Sequence, residues 1–248
     1  MGVFRFKEFE VRNEVSAMKV NTDSVLLGVL CTVRKEDRRV LDIGTGTGAV
    51  ALIVAQRLNR VKGGVPRGNV LCSGDCITGI DIDEGAASEA AFNFGGSPWA
   101  NNMETFHSAL DDFSDGSYDL IVSNPPYYEN SIQSPVERRR VARHADTLSY
   151  RDILSYSVGN LSPDGRVALI LPASEKIAVL GDAADKGLYL NKITMIKTVE
   201  GKTCSRMVVE FSRCRKPLES EELPIYGADG SYSDEYIKKT SELLDCKF

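Results

Sequence analysis

Short apolar runs with strand character alternate with runs of helical period from Arg39 onward. The strand-like runs span residues 39–43, 77–82, 104–109, 118–124 and 166–172, and the helical patterns span 47–60, 83–94, 149–161 and 173–186. Strands that are apolar along nearly their whole length are typical of parallel sheets, in which helices cover both faces. The alternation therefore predicts an α/β fold built on a mostly parallel sheet.

Two further strand-like runs, 188–199 and 206–212, have no helical pattern between them. A parallel connection needs a long crossover, so we expect these two strands to form an antiparallel pair at one edge of a seven-stranded sheet. Ahead of the alternation, the first residues predict one or two strands. A helix follows that Thr22 or Asp23 could cap.

The charge is distributed unevenly along the chain. Residues 217–248 hold three of the 30 Lys and Arg and eight of the 35 Asp and Glu, so residues 1–216 carry 27 of each sign. A neutral body can hold a local basic patch, and the net charge of −5 therefore does not exclude a polyanionic partner. We assign 1–216 to a single domain, with 1–38 as an N-terminal cap and 39–216 as the core, and 217–248 to an acidic C-terminal extension.

The six cysteines are scattered, and only Cys72 and Cys76 lie close together in sequence. No second pair of Cys or His completes a tetrahedral zinc site, so we expect reduced thiols and no metal. The N-terminus "MGVFRFKEFE" lacks an apolar signal core, and no apolar run approaches the ~20 residues of a membrane helix. These features predict a soluble, cytoplasmic protein without a membrane partner.

The segment "VLDIGTGTGAVAL" places Gly44, Gly46 and Gly48 between a predicted strand and a predicted helix. Glycine permits a tight turn and close approach of a ligand to the backbone, and the helix N-terminus supplies free N–H groups. Asp42 stands two residues before the first glycine. A carboxylate there is a poor neighbour for a pyrophosphate, but it suits the ammonium group of S-adenosyl-L-methionine, which we predict as the cofactor.

The next predicted strand ends in "GIDIDEGA". In doubly wound sheets an acid at this position can accept hydrogen bonds from ribose hydroxyls, and we expect Asp81 to do so. Asp83 is expected to cap the following helix. Asp42 and Asp81 lie further apart than the ~20 residues usual for this arrangement, and a glycine-rich insertion at 60–76 accounts for the excess.

A third motif ends the strongest strand pattern, "YDLIVSNPPYYEN". Proline restrains the residue before it to extended geometry and has no N–H to donate, so Asn124, Pro125 and Pro126 form a stiff corner that presents acceptors. The Asn124 side-chain oxygen and the Pro125 carbonyl can accept both hydrogens of an NH2 group on a planar ligand. Tyr127 can stack on that ligand. An adenine N6 amine and a glutamine amide both fit this arrangement.

Together these motifs resemble the amino-methyltransferases of the Rossmann-like, class I S-adenosylmethionine superfamily. The segments "FRFKEFEV", "AMKVNTDSVLLG", "DIGTGTG", "SNPPYY" and "ARHADTLSY" occur in the order seen in bacterial tRNA-valine adenine-37 N6-methyltransferases. The resemblance spans roughly residues 4–212 and implies methylation of adenine 37 in a valine tRNA. It also implies site residues. The implied cofactor-binding set is Lys19, Thr22, Asp23, Asp42, Gly44, Gly46, Gly48 and Asp81, and the implied base-holding set is Asn124, Pro125, Pro126 and Tyr127.

One segment departs from this family pattern, because "HSALDDF" has Ala109 and Leu110 where relatives often carry an Asp near the cofactor adenine. That contact stays unassigned. The segment "ERRRVARHADTLSY" follows the base-holding corner, and its basic side chains are candidates to contact tRNA phosphates. These candidates are Arg138, Arg139, Arg140, Arg143 and His144.

Three other functions remain open at this point. A protein glutamine could take the place of the adenine, although such enzymes carry a helical domain before the glycine loop, and only 41 residues precede Asp42. A ribosomal RNA or DNA adenine is also possible, although no target-recognition domain is visible. A scaffold that binds cofactor and recruits RNA without catalysis would not need the acceptor corner.

Overall fold

The structure, a computed structural model, describes residues 2–126 and 148–244 of the chain. Ten strands are present in these residues: β1 Val3–Arg5, β2 Glu10–Arg12, β3 Arg39–Ile43, β4 Cys76–Asp81, β5 Met103–His107, β6 Tyr118–Ser123, β7 Leu161–Pro172, β8 Tyr189–Val199, β9 Cys204–Ser212 and β10 Glu219–Tyr226. The same residues form six α-helices: α1 Thr22–Leu30, α2 Ala49–Val61, α3 Glu84–Gly95, α4 Tyr150–Asn160, α5 Lys176–Asp185 and α6 Asp234–Thr240. Strands β1 and β2 form a separate antiparallel hairpin.

The other eight strands form one sheet in the order β10-β8-β9-β7-β6-β3-β4-β5. Only β9 runs antiparallel to its neighbours, so the predicted mostly parallel α/β sheet is confirmed. Two details differ from the prediction. The sheet has an eighth strand, and the antiparallel strand lies inside the sheet between β7 and β8 rather than at an edge.

The edge position belongs to β10, which comes from the acidic segment 217–248 and pairs parallel with β8. Glu221 and Glu222 of this strand are matched by basic residues, because Lys197 contacts Glu222 at 2.5 Å and Lys239 contacts Glu221 at 3.0 Å. Only Leu223 and Ile225 of this strand are buried apolar residues. Such a short apolar signal within an acidic run explains why the sequence pattern did not reveal the strand.

Helix α1 shows why the predicted cap was wrong. Asn21, not Thr22 or Asp23, is the N-cap, and its side chain accepts a hydrogen bond from the Ser24 backbone N–H at 2.9 Å. The Ser24 hydroxyl in turn accepts from the Asn21 backbone N–H at 3.1 Å. This reciprocal pair satisfies two donors that the start of a helix leaves unpaired.

A buried charged cluster joins the end of α1 to the sheet. Arg166 on β7 is 2% exposed and donates to both carboxylate oxygens of Asp37, at 3.0 and 2.6 Å. It also donates to the Thr32 carbonyl, while Glu210 on β9 accepts from the Thr32 backbone N–H at 2.6 Å. These contacts fix the point at which the chain leaves α1 and enters the sheet.

Replacing Arg166 with Met should lower the free energy of unfolding by about 3–5 kcal/mol, because it leaves the Asp37 carboxylate buried and unpaired. Urea denaturation at neutral pH measures the change. Arg215→Met makes the same substitution at an exposed site and should shift stability by less than ~0.5 kcal/mol. Equal stabilities of the two variants would show that the buried pair contributes nothing beyond packing.

Candidate active site

The carboxyl ends of β3 and β6 lie side by side at the centre of the sheet. Ile43 is in register with Ser123, and the Ser123 hydroxyl donates to the Ile43 carbonyl at 2.7 Å. Beyond this contact the two chains diverge. The chain leaves β3 through α2 toward β4 on one side, whereas it leaves β6 toward β7 on the other side. A crevice forms where neighbouring connections part in this way, and it is the usual ligand position in open α/β sheets.

The loop that follows β3 is shaped by glycines. Gly44, Gly46 and Gly48 all have left-handed backbone angles, with φ of 69°, 58° and 79°. At Gly48 a Cβ atom would lie 2.5 Å from the Phe94 ring, so that position excludes any side chain. The backbone N–H of Gly44 donates to the Ile80 carbonyl at 2.9 Å, which fixes the loop against the end of β4.

Two carboxylates fix the glycine loop through hydrogen bonds. Asp42 is buried, and its Oδ2 accepts from the Thr45 hydroxyl at 2.9 Å and from the Ala51 backbone N–H at 3.2 Å. Asp81 accepts from the Gly46 backbone N–H at 2.9 Å through its Oδ2 and from the Asp83 N–H at 3.0 Å through its Oδ1. The predicted cap is confirmed, because the Asp83 side chain accepts from the backbone N–H of Ala86 at 2.7 Å.

Burial controls the protonation of both carboxylates. Loss of solvent raises the pKa of Asp42 to about 7, although its hydrogen bonds with Thr45 and Ala51 act in the opposite direction. Burial likewise raises the pKa of Asp81, against the bonds from the Asp83 and Gly46 N–H groups. The charge of Asp81 also opposes ionisation of Asp42, and the charge of Asp83 opposes ionisation of Asp81. A cation in this crevice would therefore be favoured, because it would relieve an unfavourable concentration of negative charge.

The segment before α1 covers the glycine loop. We call residues 12–20 the strap; it begins at Arg12, the last residue of β2, and is irregular from there on. A cavity lies between the strap and the glycine loop, and strap residues Met18 and Lys19 line it together with Asp42 and Gly46. The remaining lining residues are Ser24, Gly44, Thr45, Thr47, Ala49, Val50 and Asn124. The structure thus brings the strap, the glycine loop and the end of β6 to one place.

The other two N-terminal candidates occupy different positions. Thr22 is the first residue of α1, and Asp23 accepts from Arg206 of β9 at 3.1 Å. Neither is among the residues that line the cavity, whereas Met18 and Ser24, which were not predicted, both are. Ser24 lies within the motif "AMKVNTDSVLLG", but its spacing alone does not show which side chains of that motif face the glycine loop.

The acceptor corner begins where β6 ends. Asn124 is 8% exposed, and its Nδ2 lies 3.4 Å from the Met18 sulfur, so the amide faces the strap. Pro125 is buried and Pro126 is exposed. The predicted stacking residue Tyr127 and the predicted basic cluster lie outside the described residues. The cluster comprises Arg138, Arg139, Arg140, Arg143 and His144.

The charge of this cavity suits the cationic cofactor S-adenosylmethionine. A Cβ atom on Gly46 would lie 3.4 Å from the Ser16 hydroxyl and 3.6 Å from the Met18 carbonyl, so a side chain there would fill the space between loop and strap. The nearby carboxylates Asp42 and Asp81 favour a cationic group.

No group of three His, Cys, Asp or Glu in residues 2–126 and 148–244 could hold a metal ion. No helix among those residues is long and apolar enough to cross a bilayer.

Curated relatives match almost the whole chain. A tRNA1(Val) (adenine(37)-N6)-methyltransferase of Aeromonas salmonicida is 39% identical over 240 residues, covering 96% of this chain and 94% of the relative. A protein of the same name from Bacteroides fragilis is 37% identical over 243 residues, covering 96% of each. This chain belongs to the tRNA1(Val) (adenine(37)-N6)-methyltransferase family. No protein-family model matches it.

Solved structures of methyltransferases share the fold. A predicted O-methyltransferase from Agrobacterium tumefaciens superposes with a TM-score of 0.65 over 89% of this chain and 96% of that protein, at 15% identity. A putative RNA methyltransferase from Pyrococcus horikoshii gives a TM-score of 0.53 over 82% of this chain and 88% of that protein, at 16% identity. The family member described here therefore has the Rossmann-like class I methyltransferase fold expected from its motifs.

The raised pKa of Asp42 predicts a pH-dependent affinity for S-adenosylmethionine. Between pH 7.5 and 5.5 the α-ammonium group of the ligand stays mostly protonated, but Asp42 of the free protein gains a proton as the pH falls through about 7. Affinity should then decrease, approaching tenfold per pH unit at the acid end of this range. Isothermal titration calorimetry at several pH values between 7.5 and 5.5 measures this affinity.

In Asp42→Asn, affinity should be weaker at pH 7.5 and nearly independent of pH across this range. A wild-type affinity that does not change between pH 7.5 and 5.5 would contradict a role for the Asp42 charge in binding.

Proposed function

We propose that this chain transfers a methyl group from S-adenosyl-L-methionine to the exocyclic N6 of an adenine in tRNA, at position 37 of a valine tRNA. The observation that carries the proposal is that one cavity is lined both by the Asp42 and Gly46 segment and by Asn124. A methyl-donor site and an amine-acceptor site are then adjacent. The curated relatives that match nearly the full chain carry this activity in their names.

The cofactor would be held by the glycine loop and its two carboxylates. Asp42 supplies a negative charge for the methionyl ammonium group, and the tight turn of Gly44, Gly46 and Gly48 permits close approach to the backbone. Asp81 is placed at the end of β4, where a carboxylate can accept ribose hydroxyls. Lys19 lines the cavity from the strap. When bound, S-adenosylmethionine supplies an electrophilic methyl group on a sulfonium centre.

The amine would be held by the corner after β6. The adenine N6 lone pair is delocalised into the ring, which makes this nitrogen a poor nucleophile. If the Asn124 side-chain oxygen and the Pro125 carbonyl each accept one N–H, they return electron density to N6 and favour pyramidal geometry. N6 would then attack the methyl carbon as its bond to sulfur breaks, with the electron pair staying on sulfur in the leaving S-adenosylhomocysteine, and the cationic N6 would lose its proton to solvent water. The arrangement needs no strong general base.

Substrate recognition extends the proposal beyond the described residues. Tyr127 would stack on the adenine, and Arg138, Arg139, Arg140, Arg143 and His144 would contact tRNA phosphates. Thr22 and Asp23 do not line the cavity. They stay in the proposed cofactor-binding set because they directly follow the strap in sequence. The enzyme would act in the cytoplasm, where its tRNA substrate is modified.

The rival substrates are a ribosomal RNA or DNA adenine and a protein glutamine. All share the planar NH2 group that the corner would hold, so the chemistry at Asn124 does not distinguish them. The names of the relatives favour tRNA. Parallel incubations of labelled cofactor with total tRNA, ribosomal RNA, DNA and cell protein, followed by mapping of the labelled product, separate them: the proposal expects N6-methyladenosine at position 37 of one valine tRNA. Label in protein or in ribosomal RNA alone would contradict it.

Asn124→Ala should lower the rate of tRNA methylation by about 10²-fold or more and leave cofactor affinity nearly unchanged, because one positioned acceptor is lost. Single-turnover kinetics measures the rate, and calorimetry measures binding. Asn101→Ala, at an exposed position in the turn before β5, is the matched control and should behave as wild type. Full turnover in Asn124→Ala would rule out the acceptor-pair mechanism.

A further inference from the structure

The strap has no helix or strand from Asn13 to Val20, and helix α3 holds it in place. Glu89 of α3 is 3% exposed. Its carboxylate accepts three consecutive backbone N–H groups of the strap, from Glu14 at 2.6 Å, Val15 at 2.9 Å and Ser16 at 2.8 Å. Successive backbone N–H groups of this kind form an anion-binding concavity, and here the anion is a side chain of the same chain.

Asn93, one helical turn further along α3, adds a second attachment. Its Oδ1 accepts from the Arg12 backbone N–H at 2.7 Å, and its Nδ2 donates to the carbonyl of Arg12 at 3.0 Å. The same Nδ2 donates to the Thr47 carbonyl of the glycine loop at 2.8 Å. One face of α3 therefore fixes the strap relative to the loop that it covers.

The strap contacts both halves of the active site. Its Ser16 hydroxyl donates to the Met18 carbonyl at 3.1 Å, and these two groups face Gly46. The Met18 sulfur lies 3.4 Å from Asn124 Nδ2. Sulfur is a weak acceptor and has no hydrogen to donate, so this contact favours the amide orientation that turns Nδ2 toward the strap.

We propose that Glu89 is a positioning residue for methyl transfer. By holding the strap through three N–H groups, it places Lys19 and Met18 against the cofactor loop and orients the Asn124 amide through Met18. This inference rests on the proposed function for its catalytic part, whereas the holding of the strap is independent of the substrate. It gives a reason for a carboxylate on the buried face of α3, a position that would otherwise favour an apolar residue.

The charge and shape of the side chain both matter. Burial alone would raise the pKa of Glu89, but the three backbone N–H groups and the nearby Lys19 lower it. A glutamine has nearly the same shape, yet its NH2 group would face an N–H where the carboxylate accepts one. Glu89→Gln should therefore loosen the strap without creating a cavity.

The first test is tryptic cleavage after Lys19 in the cofactor-free protein, followed by mass spectrometry. Lys19 is exposed, so cleavage there reports how often the strap leaves its place. Glu89→Gln should be cut about tenfold faster than wild type, in line with the loss of hydrogen bonds to a charged group. Glu84→Gln, the same change at an exposed position of α3, should be cut at the wild-type rate.

The second test is a kinetic cycle with Met18→Ala, a variant at a 38% exposed position that should fold normally. Glu89→Gln and Met18→Ala should each lower the single-turnover rate on tRNA about tenfold, because misplacing a reacting group is costly. The double variant should be hardly slower than the slower single variant, because both changes remove the same link to Asn124. Affinity for S-adenosylmethionine should fall about tenfold in Glu89→Gln.

Wild-type cleavage after Lys19 in folded Glu89→Gln would overturn the holding of the strap. Fully additive effects in the cycle would overturn the link through Met18. If Glu89→Gln does not fold, the rate of Met18→Ala alone tests the link from the strap to Asn124. A wild-type rate of methyl transfer in Met18→Ala then overturns the proposed effect of the strap on catalysis. If the wild-type protein methylates a different substrate, the cleavage result still stands, and the same cycle is measured on that substrate.

Discussion

The adjacency of two strand ends is the constraint on which the active site depends. Strands β3 and β6 are parallel neighbours, and the hydrogen bond from Ser123 to the Ile43 carbonyl closes their pairing at the point where the chains part. The glycine loop must then begin beside Asn124. In the proposed function the loop holds the methyl donor and the corner holds the amine, so neither could form a methyl-transfer site alone.

The energetics of the crevice show a conflict between stability and binding. Asp42 is buried with Asp81 nearby, and this burial raises the pKa of Asp42 to about 7. A protein selected for stability alone would avoid such a charge, since desolvation opposes it. Glu89 shows the opposite solution, because three backbone N–H groups stabilise its charge and lower its pKa. Asp42 is therefore suited to receive a cationic ligand, whereas the charge of Glu89 is already stabilised by the backbone of the strap.

The features that the sequence predicted correctly are those that follow from local pattern. The apolar runs located the strands of the sheet, and the structure brings the predicted residues Asp42, Gly46 and Asn124 to one cavity. Asp83 was recognised as a helix cap because capping depends on immediate neighbours.

Long-range contacts could not be predicted in the same way. Glu89 reads as an ordinary charged residue of a helix, and only the fold brings it to a segment 73 to 75 residues earlier in the chain. Strand β10 has too few apolar residues to stand out, and its position depends on the open edge of β8 and on partners such as Lys197. The capping role of Asn21 required knowing where α1 begins.

In the proposed function, donor and acceptor share one cavity at the ends of β3 and β6. The most direct measurement is a crystal structure of the protein with S-adenosylhomocysteine and adenosine bound. We predict the amino acid part of the cofactor product beside Asp42 and Gly46, and the adenosine N6 at hydrogen-bonding distance, about 3 Å, from the Asn124 side chain. Binding of either molecule elsewhere, for example in the surface depression lined by Tyr189 and Arg215, would contradict the account.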